Sequence, residues 1–378
     1  MPKPTVVVAG LGDTGILVAT RLSRSYRVIA VTTRPALLSG QELGTRLTDP
    51  ERWKRSYFVP LSRFRRLDDV DVHHGRIASV DLHASSVCVQ GADGSTEDIR
   101  YDALVIATGV SNGFWRDDRV EDLAAAAARI AESAQRLDVA RTIAVVGGGA
   151  TGASVADNVA RRPGVTVHLF FPGNELLPQH HPKVRSWIGR TVRDHGVLLH
   201  PGHRAVLPEG IAPHRITEGP IEWSSGQPPV AADAVVWAVG AVRPHSAFLP
   251  TDVLDKQGFV RVNEFLQMPG FANVFAVGDV AASDPLRSSA RNWGYRVIVS
   301  NVGRVLRGHA PRRRFRAPEY RWGSVLGLQP EGLTATTAKG ARFRIPRRIA
   351  EPLLYGVFVT RGLYGGLRHQ PDRESPTP

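Results

Sequence analysis

The sequence predicts an α/β protein of two similar parallel-sheet modules followed by a small C-terminal region. Three observations carry that prediction. Residues 6–19, VVVAGLGDTGILVA, set a β-branched run, a GxGxxG turn and an apolar-periodic stretch in series, and residues 143–156, IAVVGGGATGASVA, repeat the series. Each series leads into another apolar run, Tyr26 to Val31 and Val165 to Phe170, so strand, glycine turn, helix and strand occur twice. The length, 378 residues, suits two or three domains.

In chain order, the first strand starts at Thr5 and its glycine turn carries Gly10, Gly12 and Gly15. Alternation on both sides of Gly91-Ala92-Asp93-Gly94 predicts a hairpin, and the strand from Tyr101 ends on Ala107-Thr108-Gly109. The Ala-rich stretch Leu123 to Leu137 predicts a helix. The second turn carries Gly147, Gly149 and Gly152, and the strand from Ala234 ends on Gly240. Strands at Gly258–Val262 and from Asn273 to Asp279 precede a helix through about Leu306. A linker at 308–318, short strands, a segment from Ile349 to Leu367 and a polar tail follow. These boundaries divide the chain into 1–115 and 248–307 (one split module), 116–247 (the inserted module) and 308–378.

Composition narrows the chemistry. A single cysteine excludes a disulfide scaffold, a thiolate zinc cluster and a CxxC redox centre, so redox chemistry here needs a cofactor. Cys88 alternates with Val87 and Val89 and reads as a strand residue. His73-His74, His180-His181, His195, His200 and His203 lack a compact carboxylate or thiolate set, and no metal site is expected. Of the net charge of +13, residues 301–378 supply +10, with 15 Lys+Arg against 5 Asp+Glu. That concentration points to an anionic partner. No signal peptide and no spanning helix is expected.

Glycines at this spacing have a mechanical purpose. The first permits the tight turn, the second lets a pyrophosphate approach the backbone, and the third lets helix and strand pack closely. Two such loops predict two dinucleotides. The ordered set resembles the flavoprotein reductases with two dinucleotide folds, over roughly residues 5–308, and the segment Val277-Gly278-Asp279-Val280-Ala281 strengthens the likeness. The resemblance implies Rossmann-like modules of the three-layer ββα type. It implies FAD at the first loop, with Thr32, Arg34, Thr108, Gly109, Gly278 and Asp279, and NAD(P)H at the second loop, with Gly240. Within that group the chain looks like type II NADH:quinone oxidoreductases and apoptosis-inducing-factor-like reductases. Tyr320 to Leu328 and Ile349 to Arg368 resemble the C-terminal region of the former.

Several positions depart from the family pattern. Thr32 stands where a ribose-binding acid is expected, and Asp13 puts a carboxylate inside the first phosphate loop. Phe170-Phe171-Pro172 offers neither an acid for a 2′-hydroxyl nor an adjacent arginine. Ser154 replaces a Glu near the nicotinamide, and Asn292 or Trp293 replaces a Gln near the flavin. No side chain is expected to be an obligatory catalyst, with Ser154 and Trp293 as the candidates for a catalytic contribution.

The expected activity is hydride transfer from NAD(P)H to FAD, then electron transfer to a small acceptor, preferably a quinone. Residues 342–364 combine basic flanks with apolar and aromatic residues, which suits contact with an anionic membrane surface. The expected location is the cytoplasm, peripheral on the inner face of the membrane. The alternatives are a soluble apoptosis-inducing-factor-like or ferredoxin-reductase-like oxidoreductase, and a non-catalytic nucleotide-sensing or interaction protein. Nucleic-acid binding through Arg312 to Arg316 is the lesser reading, since no reader motif accompanies it. Oligomeric state is left open.

Overall fold

A computed structural model describes residues 2–38, 51, 58–111, 119–209, 215–239, 242–290 and 292–368. The first module begins with β1 (Thr5–Ala9), α1 (Asp13–Leu22) and β2 (Arg27–Thr32). A short pair, β3 (Ala36–Leu38) and β4 (Phe58–Pro60), precedes the long β5 (Val70–Asp81). Next come β6 (Ser86–Gly91), β7 (Thr96–Arg100), β8 (Ala103–Ile106) and β9 (Val110–Ser111). The predicted hairpin is the β6–β7 turn, where Gly94 takes φ +85°.

The second module holds α2 (Leu123–Val139), β10 (Thr142–Val146), α3 (Ala150–Ala160), β11 (Thr166–Phe170), α4 (Pro182–Asp194), β12 (Val197–His200), β13 (Thr217–Ile221) and β14 (Val230–Trp237). The chain returns through β15 (Arg243–Pro244), which pairs with β9, and β16 (Val260–Arg261). β17 (Val274–Ala276), β18 (Ala281–Ala282) and α5 (Gly294–Val305) complete the first module. Three strands end the β structure, β19 (Leu328–Gln329), β20 (Gly332–Thr336) and β21 (Arg342–Ile345). A helix of wide π-type turns spans Ala350–Leu363.

The first sheet has the order β17-β8-β1-β2-β5-β6-β7. β17, β8, β1, β2 and the start of β5 are parallel, and β5-β6-β7 continue as an antiparallel meander. Side-chain alternation along β1 assigns the layers. Val6 and Val8 pack with Ile16, Val18 and Ile298 of α1 and α5, whereas Val7 and Ala9 pack with Ile77, Val87 and Val89 of the meander. Helices, parallel sheet and second sheet thus form the ββα layers.

The second sheet runs β12-β11-β10-β14-β13, with only β13 antiparallel. Ile143 and Val145 face the helices, and Ala144 and Val146 face Phe170, Trp223 and Trp237. In both sheets the glycine turns leave the carboxyl ends of the central strands, and the two turns share one cavity.

The C-terminal region touches both modules. Asn158 Nδ2 of α3 donates to Leu326 O at 3.2 Å, and Arg161 pairs with Glu331. On the first module, Arg21 Nη2 donates to Leu363 O at 3.2 Å, and Phe64 meets Tyr364 edge to face at 5.3 Å. The 308–318 linker has no helix or strand, yet it is held firmly. The fully buried Asn301 accepts from Arg312 N (3.1 Å) and Arg313 N (2.9 Å) and donates to Arg313 O (2.8 Å).

Candidate functional site

The two glycine loops are built alike. Gly10 has φ +96°, and a Cβ there would lie 2.6 Å from Ala107 O; Gly147 has φ +128°, and its Cβ would lie 2.0 Å from Ala238 O. Only glycine lets the chain pass that close to the neighbouring strand end. A Cβ at Gly15 or Gly152 would lie 1.8 Å from the carbonyl oxygen of the loop's first glycine. By contrast, a Cβ at Gly12 or Gly149 would meet nothing within 4 Å. These two middle glycines open onto the cavity. They are also the N-caps of α1 and α3, and neither supplies a side-chain cap. The first amides of both helices therefore lack a local side-chain acceptor, and the positive ends of both helix dipoles face the same space. Such a cradle fits a pyrophosphate at each loop.

The space is one cavity of about 1410 Å³ reaching from Gly10-Leu11-Gly12 to Gly147-Gly148-Gly149. Thr32, Arg34, Thr108, Gly109, Gly278 and Asp279 line it. Thr32 lies on the wall, but its hydroxyl donates to Arg34 O at 3.0 Å, closing a local turn. The Arg34 guanidinium pairs with the buried Glu121, which also binds Arg129 at 2.7 Å. Glu121 is absent from the cavity lining, so its carboxylate holds Arg34 and does not stand in for the acid expected near Thr32.

Thr108 and Gly109 are fastened to the return from the second module. Thr108 Oγ1 donates to His245 O at 2.6 Å, His245 N donates to Gly109 O at 3.1 Å, and Ser111 Oγ lies 2.8 Å from His245 Nε2. His245 lines the cavity and escaped the sequence reading; its approach to Thr108 depends on pairing of β9 with β15, which no local pattern announces. Gly278 takes φ +86°, and its N–H donates to the fully buried Ser289 Oγ at 2.8 Å. That bond fixes the turn that presents Asp279 to the cavity.

Asp13 does not confront the pyrophosphate cradle unpartnered. Its Oδ1 accepts from the hydroxyl of the buried Tyr364 at 3.1 Å. Burial and the Asp13 charge push the Tyr364 hydroxyl well above the ordinary tyrosine value, so it remains a donor.

The two candidate catalytic side chains stand off the cavity wall. Ser154 is buried in α3 and absent from the cavity lining. Trp293 is 40% exposed, in the left-handed region at φ +61°, with the Arg296 guanidinium 4.2 Å from its ring centre. Asn292 and Trp322 line the cavity instead, joined by a 2.5 Å bond from Trp322 Nε1 to Asn292 Oδ1. The conformation at Trp293 turns its indole outward while Asn292 stays on the wall. Trp322 lies in the Tyr320–Leu328 segment, whose likeness to a family motif was its signal. Gly240 lies outside the described residues.

The model of one protein family, pyridine nucleotide-disulphide oxidoreductase, matches residues 4–299, a span that contains both cradles and Asp279. The chain belongs to that family. It is an FAD-dependent NAD(P)H oxidoreductase. Family relatives include the NADH dehydrogenase-like protein YutJ of Bacillus subtilis, 24% identical over 299 residues, covering 76% of this chain and 79% of YutJ. Ferroptosis suppressor protein 1 of Taeniopygia guttata is 24% identical over 242 residues, or 60% of this chain and 62% of that protein's length. Among solved structures, the water-forming NADH oxidase of Lactobacillus brevis bound to NADH shares the fold. Its TM-score is 0.62 at 18% identity, over 85% of this chain and 72% of that one. Despite the family's description, this member's one cysteine, Cys88, sits in β6 and has no second cysteine in this sequence to pair with.

Proposed function

We propose that this chain takes hydride from NAD(P)H through FAD and passes the electrons to a quinone at a membrane surface. The observation that carries the redox half of this reading is the shared cavity: two pyrophosphate cradles open into one volume, so two dinucleotides bound there meet. FAD, when bound, supplies the ring that accepts hydride. The chain supplies binding and orientation. The amides at the starts of α1 and α3 would hold the phosphates, Asp279 would accept from ribitol hydroxyls, and the His245–Thr108 clamp fixes the strand end that lines the cavity. Asn292 and Trp322 form a flat polar-edged wall suited to an aromatic acceptor.

The membrane half rests on the C-terminal region. Phe343 is 53% exposed, Ile349 41% and Val357 46%, and Arg342, Arg344 and Arg348 interleave with them. Apolar tips among arginines suit the boundary between lipid headgroups and acyl chains. Among the described residues no helix is long and apolar enough to cross a membrane. A second reading is favoured by the buried Tyr364, which makes this segment an internal strap of the first module; the acceptor would then be reached from water.

The test is an absorption spectrum of the purified protein, recorded anaerobically before and after NADH or NADPH, followed by a short-chain quinone. Bleaching of a bound flavin band and its return with quinone supports the reading. A flavin that quinone does not reoxidise would overturn the acceptor assignment. Flotation with anionic vesicles tests the location, and a protein that stays in the dense fractions favours the strap.

A further inference from the structure

One corner of the cavity carries chemistry that neither the family nor the glycine loops account for. β11 ends at Phe170 and Phe171-Pro172 follow, so no carboxylate stands at the strand's end, and the one that the following loop brings to the wall, Glu175, faces Arg185. Lying against that turn is the segment after β12, residues 201–205. His203 N donates to Phe171 O at 3.0 Å, and Gly202 N donates to Gly173 O at 3.3 Å. These bonds set His203 and Arg204 on the cavity wall beside Phe171.

Arg204 is held by its backbone alone. Its N–H donates to Ser225 Oγ at 2.9 Å, and its carbonyl accepts from Ser224 Oγ at 3.1 Å. The guanidinium is exposed on the rim and has no carboxylate within ion-pair distance among the described residues. Three carboxylates line the described cavity: Asp13 and Asp279 belong to the first module, and Glu175 faces Arg185 Nη1 at 3.6 Å.

A dinucleotide whose pyrophosphate rests on the N-terminus of α3 directs its adenosine ribose toward the end of the next strand, here β11. A ribose 2′-hydroxyl calls for a carboxylate acceptor there. A 2′-phosphate calls for cationic donors, and a guanidinium matches phosphate geometry with two parallel bonds. We infer that this corner, anchored by Arg204, receives the 2′-phosphate of NADPH and makes the enzyme prefer NADPH to NADH. The inference rests on the reading of the second loop as the nicotinamide dinucleotide site.

Isothermal titration of the flavin-loaded full chain with adenosine 2′,5′-bisphosphate and with 5′-AMP tests it without turnover. The bisphosphate is expected to bind at least about tenfold more tightly than AMP, as one charge-assisted contact implies. Arg204→Ala should collapse most of that ratio, and Arg204→Lys should restore part of it. Equal affinities, binding of neither nucleotide, or a ratio indifferent to Arg204→Ala would overturn the assignment. The steady-state counterpart is a rise in the ratio of the NADPH KM to the NADH KM in Arg204→Ala. A flavin that neither donor reduces, in a protein that still discriminates the two nucleotides, would remove the reductase reading and leave this one standing.

Discussion

The hydroxyl of Tyr364 donates to Asp13 Oδ1 at 3.1 Å, joining residues 351 positions apart. A carboxylate inside a phosphate-binding turn is thereby turned toward a buried donor. Removing that donor should return some of its repulsion to the pyrophosphate. Tyr364→Phe is expected to weaken FAD binding about tenfold, the equivalent of roughly 1–2 kcal/mol. Fluorescence titration of the apoprotein with FAD measures it, and an unchanged Kd would contradict the coupling.

The glycines of one loop should separate by position. Gly15→Ala drives a Cβ to 1.8 Å from Gly10 O and should cost more than about 3 kcal/mol of stability. Gly12→Ala meets nothing within 4 Å, so the apoprotein should lose no more than about 1 kcal/mol, while FAD binding falls sharply. Thermal melts with and without FAD distinguish the two.

Stability should depend on pH through the second module. His168 Nδ1 and His200 Nε2 lie 2.9 Å apart, and burial holds both imidazoles below their ordinary value of 6.5. The unfolded chain therefore takes up protons first as pH falls. The stability these groups lend is intact above pH 6.5 and is lost as pH drops through their lower folded values. Tm should decline below pH 6.5, and His200→Phe, which preserves a ring against Phe170, should flatten the decline. A variant whose Tm tracks the parent at every pH would refute this.

The acceptor wall should respond to Trp322 and not to Trp293. Trp322→Ala is expected to raise the quinone KM several-fold and leave the rate of flavin reduction by NAD(P)H little changed. Trp293→Ala, at an exposed ring stacked on Arg296, should alter neither. Equal effects of the two substitutions on quinone KM would count against the assignment.

Asn301 should be costly to replace. Besides its three bonds to Arg312 and Arg313, its Nδ2 donates to Phe265 O at 3.0 Å. Asn301→Ala removes all four bonds and leaves a cavity at a fully buried site, and should cost roughly 3 kcal/mol, read as a lower urea midpoint.

Much of this was legible in the sequence because the signals are local. Each glycine cradle is specified within about ten residues, and the β6–β7 turn within four. The wall opposite was not legible. Trp293 occupied the position a family pattern suggested, but its left-handed backbone sends the indole outward, and Trp322 arrives from a different element. Arg34 lines the cavity as expected of a cofactor contact, but its partnership with Glu121 depends on a residue from the segment before α2. Thr32 sits on the cavity wall, but its hydroxyl closes its own turn. For Arg34 and Trp322 the deciding contact is tertiary, and for Thr32 and Trp293 it is a local backbone geometry that residue type alone does not specify.

The placement of β17 also governs the order in which the molecule can be completed. This strand, Val274–Ala276, pairs with β8, Ala103–Ile106, and everything between them belongs largely to the second module. On the ribosome, the inserted module emerges whole before the host sheet receives its edge strand, and Tyr364 reaches Asp13 later still. The second module is thus free to fold during synthesis, whereas the first waits for its own far end. Nascent chains halted near residue 285, with β14 clear of the ribosome and β17 still inside it, should already retain a nicotinamide nucleotide and be unable to retain FAD.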